Sequence, residues 1–264
     1  MGNIIIDQTG TIPTTSDSDS LFFATSGANV ENGLDSSGLT TGLTSVYVSE
    51  QWVANIGTPS TSLKADIDAA AGSVFRYAAG GGACWYTPTG GSSVCTLLRN
   101  VSNGTMTLNG TGTVTRLESG SGQTVVGQNV ACTNIHIGGG NVKLEGTSGT
   151  GPTVLEMTGG SYTTRRGATT MTVWGGSALI DASTNTITTL TMAGPTGMLN
   201  IVQSGTITTF NFVAGDANQI TISRPITITN TVIWATVRNA SKFLDNPLVT
   251  FTNTPTWRID QGSK

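Results

Sequence analysis

The sequence predicts an all-β fold: a right-handed parallel β-helix, or solenoid, with coils of about 20 residues. The first observation is a repeat, since Ile187–Gly194 returns as Ile207–Gly215 with its apolar positions twenty places later. The second is that many segments alternate apolar residues with Thr, Asn or Lys, which is typical of strands with one buried face. The third is that glycine-containing corners, such as Asn109-Gly110, Gly159-Gly160 and Gly194-Pro195, separate these segments.

An antiparallel β-sandwich is the alternative fold class. Its short strands and frequent turns would give similar alternation. A sandwich needs no twenty-residue register, however, and the repeat favours the solenoid. Because the repeat lacks apolar spacing at i, i+3, i+4 and i+7 over three turns, helical crossovers and an α/β fold are not expected.

Residues 1–20 are predicted to form an extended N-terminal arm. Thr9–Ser20 is poor in apolar residues and cannot pack a core. Ile4, Ile5 and Ile6 precede it as an apolar tip, which would dock on a neighbouring subunit by strand addition. A terminus without order is the alternative.

Residues 21–100 follow the repeat poorly, so we expect an irregular β region that forms the first coils or a cap. Leu63–Ala71 has two interpretations: alternation at its start favours a strand, and its length allows a two-turn helix. The other predicted strands in this region are Val46–Val48, Val74–Tyr77, Cys84–Tyr86 and Val94–Leu98.

Residues 101–235 are predicted to form the regular β-helix. Thr113–Leu117, Thr133–Ile137 and Thr153–Met157 begin at intervals of twenty residues, and Ile226 follows Ile207 after nineteen. Residues 236–264 break this pattern and are predicted to form a C-terminal strand and cap. One coil buries too little apolar surface to offset the entropy of ordering it, so the end coils need caps or partner chains. The sequence therefore favours an oligomer.

The acids and bases of the coils do not form a recognisable catalytic motif. The one histidine, His136, lies between two isoleucines and is predicted to point outward. Glu118 and Glu156 fall in equivalent segments nearly two coils apart, about 9–10 Å, which would suit an inverting glycosidase. We expect the coil acids to lie apart from the Arg, Asn and aromatic groups that a sugar site needs. The prediction is that the chain is not an enzyme, with no catalytic, cofactor-binding or metal-binding residues.

Charge and composition indicate which partners and which cellular compartment are expected. The net charge is −3 with no long basic run, so nucleic acid is not an expected partner, and Arg165-Arg166 is interpreted as a solvated strand edge. No apolar run reaches a membrane span, and the start lacks the pattern of a signal peptide, which predicts synthesis in a cytoplasm. Cys84, Cys95 and Cys132 are then expected to be buried free thiols.

Two stretches resemble structural modules of tailed bacteriophages. These are Leu43–Ile67 and the Gly-Thr-Val-Thr-Arg-Leu pattern at Gly112–Leu117, which is echoed loosely in later coils. The chain resembles virion β-helix proteins that decorate or cement the outside of the head. The resemblance implies a trimer or other oligomer, most simply a homotrimer, on a lattice of major capsid protein. It carries over no catalytic residues.

The leading hypothesis is a structural virion protein that decorates or cements a capsid and is located at the capsid surface, with the major capsid protein and its own copies as partners. A carbohydrate-binding or carbohydrate-degrading spike or tail protein is the alternative. No nucleic-acid or membrane partner is expected. The candidate capsid or subunit contacts are Ile4, Ile5, Ile6, Phe22, Phe23 and Trp52.

Overall fold

Parallel strands stack into a β-solenoid of about 11 turns with coils of roughly 20 residues, which confirms the predicted all-β solenoid. The computed structural model describes residues 2–6, 14–25, 29, 42–89, 92–147, 150–181, 186–202 and 205–259. Only 4% of the structure is helical. The strands are β1 (Asn3–Ile6), β2 (Ser20–Phe23), β3 (Ser45–Val48), β4 (Leu63–Ala65), β5 (Val74–Tyr77), β6 (Ala83–Pro88), β7 (Val94–Asn100), β8 (Thr105–Leu108), β9 (Thr113–Ser119), β10 (Gln123–Val126), β11 (Ala131–Ile137), β12 (Asn141–Leu144), β13 (Val154–Met157), β14 (Ser161–Thr164), β15 (Ala168–Ile180), β16 (Ile187–Ile201), β17 (Thr206–Phe212), β18 (Gly215–Asp216), β19 (Ile220–Ile222), β20 (Ile226–Trp234), β21 (Val237–Arg238), β22 (Val249–Phe251) and β23 (Thr256–Arg258). The helical elements are a 3₁₀ turn, Ala217–Gln219, and α1, Ala240–Leu244.

One side of the solenoid, which we call face A, positions the candidate site. Its strands are β1, β2, β3 and β5, then the C-terminal parts of β7, β9 and β11, then β13. It continues through β15, β16, β17 and β20 to β23. Each of these pairs is parallel, so equivalent side chains of successive coils form columns along the solenoid axis.

The core consists of such columns. Leu98, Leu117, Ile135 and Leu155 lie in register on successive strands of face A, and each is at most 1% exposed. Burial of each of these aliphatic side chains stabilises the fold by about 2 kcal/mol. Because successive residues of a strand point to opposite sides, the residues next to this column point to solvent.

The twenty-residue repeat that predicted the fold is a true register. Ile187 pairs with Ile207, and Leu190 pairs with Phe210. The segment with two interpretations, which starts at Leu63, forms strand β4 rather than a helix.

Two of the predicted registers are wrong by two residues. Thr113 pairs with Ala131 instead of Thr133. Ile207 pairs with Ile228 instead of Ile226. The corners between strands vary in length, so a fixed period drifts over successive coils. An even shift leaves every side chain on its predicted side of the sheet and changes only its neighbour.

The first strand of face A lies in the predicted arm. β1 pairs in parallel with β2. The backbone amides of Ser16 and Gly2 donate to the carboxylate of Asp19 at 2.8 and 2.6 Å, and these bonds lower the pKa of Asp19. Residues 7–13 of the arm lie outside the described residues.

At the other end, α1 contributes an aromatic side chain to the core. The ring of Phe243 lies 5.0 Å from that of Phe210 and 5.7 Å from that of Phe251. Phe243 is buried. The last coil of the described structure is thus held to the preceding coils by aromatic packing.

The interior also holds polar groups. The three cysteines are buried and free, as predicted. Arg165 is exposed and pairs with Asp181 at 3.3 Å. Arg166, in contrast, is fully buried, so the prediction of a solvated edge is wrong for this residue.

Candidate functional site

A set of charged and polar side chains lies on the solvent side of face A, directly outside the leucine and isoleucine column. Arg99, Glu118, His136 and Glu156 are in register on β7, β9, β11 and β13. They point outward because Leu98 and its equivalents, one residue earlier, point inward. The predicted outward position of His136 is confirmed.

A second outward column runs beside the first. Arg116 of β9 is in register with Asn134 of β11, which is in register with Val154 of β13. The two columns lie two residues apart along the same strands, about 7 Å, and on the same face, so they form one continuous surface. We call this surface the polar strip, and its members are Arg99, Arg116, Glu118, Asn134, His136 and Glu156.

Glu118 joins the two arginines of the polar strip. Its Oε2 accepts from Nε and a terminal nitrogen of Arg99 at 2.7 and 2.6 Å. Its Oε1 accepts from Nε of Arg116 at 2.8 Å. The Glu118 side chain is 18% exposed, whereas those of Arg99 and Arg116 are 45% and 57% exposed. The carboxylate therefore sits beneath two guanidinium groups that face solvent.

A shallow cavity adjoins this ion-pair cluster. It has a volume of about 200 Å³, and Arg116, Asn134, His136 and Glu156 line it together with Ile135 and Val154. The Asn134 side-chain amide donates to the carbonyl oxygen of Thr115 at 3.3 Å. The cavity wall presents cationic, amide, imidazole and carboxylate groups around a small apolar patch, a combination that can hold hydroxyl and carboxylate groups of a ligand.

Aromatic side chains occupy the same outward column nearer the N-terminal end. The rings of Phe22 and Tyr47 stack with centroids 5.3 Å apart and planes 15° apart. Tyr47 is in register with Arg76, and Arg76 with Arg99. A wider depression of about 560 Å³ lies here, with Glu50 also in its wall. The outward column of the polar strip thus continues through Arg76 to this stacked aromatic pair.

The predicted contact residues divide into two groups. Ile5 is 68% exposed, and Ile4 and Phe22 are partly buried. The side chains of Ile6, Phe23 and Trp52 have no exposed surface. They are core residues of this chain, so of the six only Ile4, Ile5 and Phe22 offer surface to a partner.

Trp52 is held firmly in that core. Its indole Nε1 donates to the carbonyl oxygen of Ala54 at 2.8 Å, and its ring packs edge-on against Phe23 at 5.2 Å. Both contacts orient the indole inward. Trp52 thus stabilises the early coils.

The expectation that the coil acids lie apart from Arg and Asn is wrong. Glu118 contacts Arg99 and Arg116 directly, and Glu156 shares a cavity wall with Asn134. Sequence inspection singled out Glu118, His136 and Glu156 but missed Arg99, Arg116 and Asn134. The sequence feature that could have identified them is alternation, because each lies directly beside an inward leucine or isoleucine of its strand.

No group of three or more His, Cys, Asp or Glu side chains among the described residues is arranged to hold a metal ion. No helix within the described ranges has the length and apolar character needed to cross a membrane.

Comparison with known proteins does not place the chain in a family. No protein-family model matches it, and neither a curated protein nor a solved structure matches it. The fold is established by the strand pairing of the chain itself. What the polar strip does is inferred from its geometry.

Proposed function

We propose that the chain is a structural, non-enzymatic protein of a tailed-bacteriophage virion. It binds as an oligomer, a homotrimer in the simplest case, to the lattice of the major capsid protein at the particle surface. Because it would bind the assembled lattice in preference to free subunits, it would stabilise the assembled state by mass action.

The observation that carries the proposal is an apolar surface at the N-terminal end of face A. Ile5 exposes 68% of its side chain and is in register with Phe22, which is partly exposed. Isolated exposed apolar residues are common, but two in one column form a continuous surface. The resemblance of Leu43–Ile67 to phage structural modules supports a capsid protein as the partner.

The ion pairs of Glu118 support a non-enzymatic role. An inverting glycosidase needs one carboxyl group that gives up a proton and one that activates water. Both oxygens of Glu118 accept hydrogen bonds from arginine, and His136 occupies the strand between Glu118 and Glu156. Glu118 is committed to side-chain contacts with the two arginines, which is unlike the free carboxyl group of an open reaction centre.

The test is the presence and occupancy of the chain on purified phage particles, measured by mass spectrometry and by electron-microscopic imaging. Binding of the purified protein to assembled capsids and to unassembled capsid subunits should differ, with preference for the assembled lattice. Ile5→Lys should weaken binding about 30-fold, since burial of an isoleucine is worth about 2 kcal/mol.

Ile259→Lys is the matched control, because Ile259 is 78% exposed and lies in the last described coil. It should leave occupancy unchanged. Absence of the chain from the particles would exclude a virion role. Equal occupancy of the two variants would exclude the Ile5 surface as the docking site.

A further inference from the structure

We propose that the polar strip, extended by Arg76 and Tyr47, binds a linear polysaccharide that carries carboxylate groups and lies along the solenoid axis. This binding function is separate from the proposed capsid attachment. It uses residues that are exposed on face A away from Ile5.

The spacing of the strip suits a polymer. Tyr47, Arg76, Arg99, Glu118 and His136 lie in register on five consecutive strands of face A, and Glu156 follows on a sixth. With strands about 4.8 Å apart, the strip is about 24 Å long. A sugar unit in an extended chain is similar in length to this spacing, so successive units would meet successive coils.

The charge of the strip favours an anionic ligand. Arg76 and Arg99 are both exposed and face each other in register on neighbouring strands, where like charges repel. Arg116 adds a third guanidinium, 57% exposed, above the more buried Glu118. Guanidinium groups bind carboxylates through paired hydrogen bonds. Glu118 offsets part of this positive charge. A carboxylate of the ligand would pair with Arg76 and with the solvent-facing edges of Arg99 and Arg116.

The cavity beside Arg116 supplies contacts for sugar hydroxyl groups. Its volume of about 200 Å³ equals that of roughly six or seven water molecules, which is room for one sugar ring. Asn134, His136 and Glu156 provide both donors and acceptors around it. Hydroxyl groups need both, whereas a simple inorganic anion needs donors only.

Two features favour a polysaccharide over an acidic peptide. A peptide gains much of its affinity by adding to a free strand edge, but β9 is paired on both sides, with β7 and β11. The second feature is the cavity beside Arg116, whose mixture of donors and acceptors suits sugar hydroxyl groups.

Isothermal titration of the full chain tests the proposal with four probes: polygalacturonate, alginate, neutral dextran and poly-glutamate. At least one uronate polymer should bind, with affinity that falls as salt rises, and dextran should not. Arg116→Gln should weaken that binding at least tenfold. Arg165→Gln is the control, since Arg165 is 60% exposed but lies outside the strip.

Three results would overturn the proposal: no binding of either uronate polymer, equal loss in the two arginine variants, or poly-glutamate binding as tightly as the polysaccharides. The last would assign the strip to acidic protein segments. Arg116→Gln should leave capsid occupancy unchanged and Ile5→Lys should leave polysaccharide binding unchanged, so the two proposals can fail independently.

Discussion

The guanidinium of Arg166 donates to the carbonyl oxygen of Gly127, 39 residues earlier in the chain, at 2.6 Å. The same group donates to the carbonyl oxygens of Val130 and Glu145 at 2.8 and 2.7 Å. The side chain has no exposed surface, and burial lowers the pKa of the guanidinium, although arginine stays charged in proteins. Arg166 therefore links its own coil to the two coils before it.

Replacement of Arg166 by methionine should destabilise the solenoid by about 3 kcal/mol or more. The methionine fills much of the volume but leaves the carbonyl oxygens of Gly127, Val130 and Glu145 short of a donor inside the protein. Urea denaturation followed by circular dichroism measures the change. Arg165→Met is the matched control and should cost less than about 0.5 kcal/mol, because its ion pair with Asp181 is exposed. Equal effects in the two variants would contradict the structural role of Arg166.

The sequence around Arg165 and Arg166 indicates which of the two arginines is buried. Tyr162, Thr164 and Arg166 share the same parity, and all three are buried, while Arg165 between them is exposed. The period of two therefore indicated which arginine points inward. What it did not indicate is that carbonyl oxygens of earlier coils would surround the charge, since this depends on the path of the corners.

The sequence did not predict the polar strip, because the register between strands also depends on the corners. A strict period of twenty places Glu118 beside Gly138, whereas the observed pairing of Thr113 with Ala131 places it beside His136. The repeat at Ile187 was sufficient to predict the fold, because any even register keeps the same face inward. The site depends on which side chains are neighbours, and an error of two residues changes every neighbour.

Gly160→Ala should destabilise the protein by about 2 kcal/mol or more. Gly160 has a φ of +69°, which costs about 1 kcal/mol with a side chain, and an added Cβ would lie 2.5 Å from the carbonyl oxygen of Gly140. Gly72→Ala separates these two effects, because Gly72 has a φ of +88° and no atom within 4 Å of the added Cβ. It should cost only about 1 kcal/mol. Thermal denaturation of both variants measures the difference, and identical losses would show that the close approach at Gly160 is relieved by a backbone shift.

Asn100→Asp should destabilise the protein strongly at neutral pH. The Asn100 side-chain amide donates to the carbonyl oxygen of Gln123 at 3.0 Å and to Oγ1 of Thr124 at 2.9 Å, in a fully buried position. An ionised aspartate cannot donate either bond, and burial disfavours its charge, so we expect a loss of about 3 kcal/mol or more.

The loss caused by Asn100→Asp should shrink in acid. The pKa of the new carboxyl group is raised in the folded state, so the unfolded state binds fewer protons above about pH 4, and stability falls as pH rises from there. Urea midpoints at about pH 4 and pH 7 test this slope. Asn103→Asp, at an exposed position of the same turn, should show little pH-dependent loss. A loss at Asn100 that does not change with pH would point to shape rather than charge.

The buried thiols predict a loss of stability in alkali. Burial raises the pKa of Cys95 and of Cys132 from an ordinary value of 9.0 to about 12, and it raises that of Cys84 as well. Above about pH 9 the unfolded chain releases thiol protons that the folded chain retains, so the free energy of unfolding falls as pH rises from about 9 to about 12. Buried Tyr86 and Tyr162, whose pKa values are also raised by burial, add to this fall above about pH 10.

Two measurements separate the thiol contribution from that of the tyrosines. A thiol reagent at about pH 8 should label none of the three cysteines in the folded protein and all three in urea, because buried thiols are neither accessible nor ionised. Cys132→Ala should cost stability at every pH, through the cavity it leaves, but should reduce the alkaline slope between about pH 9 and pH 10. Rapid labelling of Cys132 in the folded protein would show that this thiol is open to solvent. An alkaline slope that Cys132→Ala does not alter would show that the thiol ionises equally in the folded and unfolded chains.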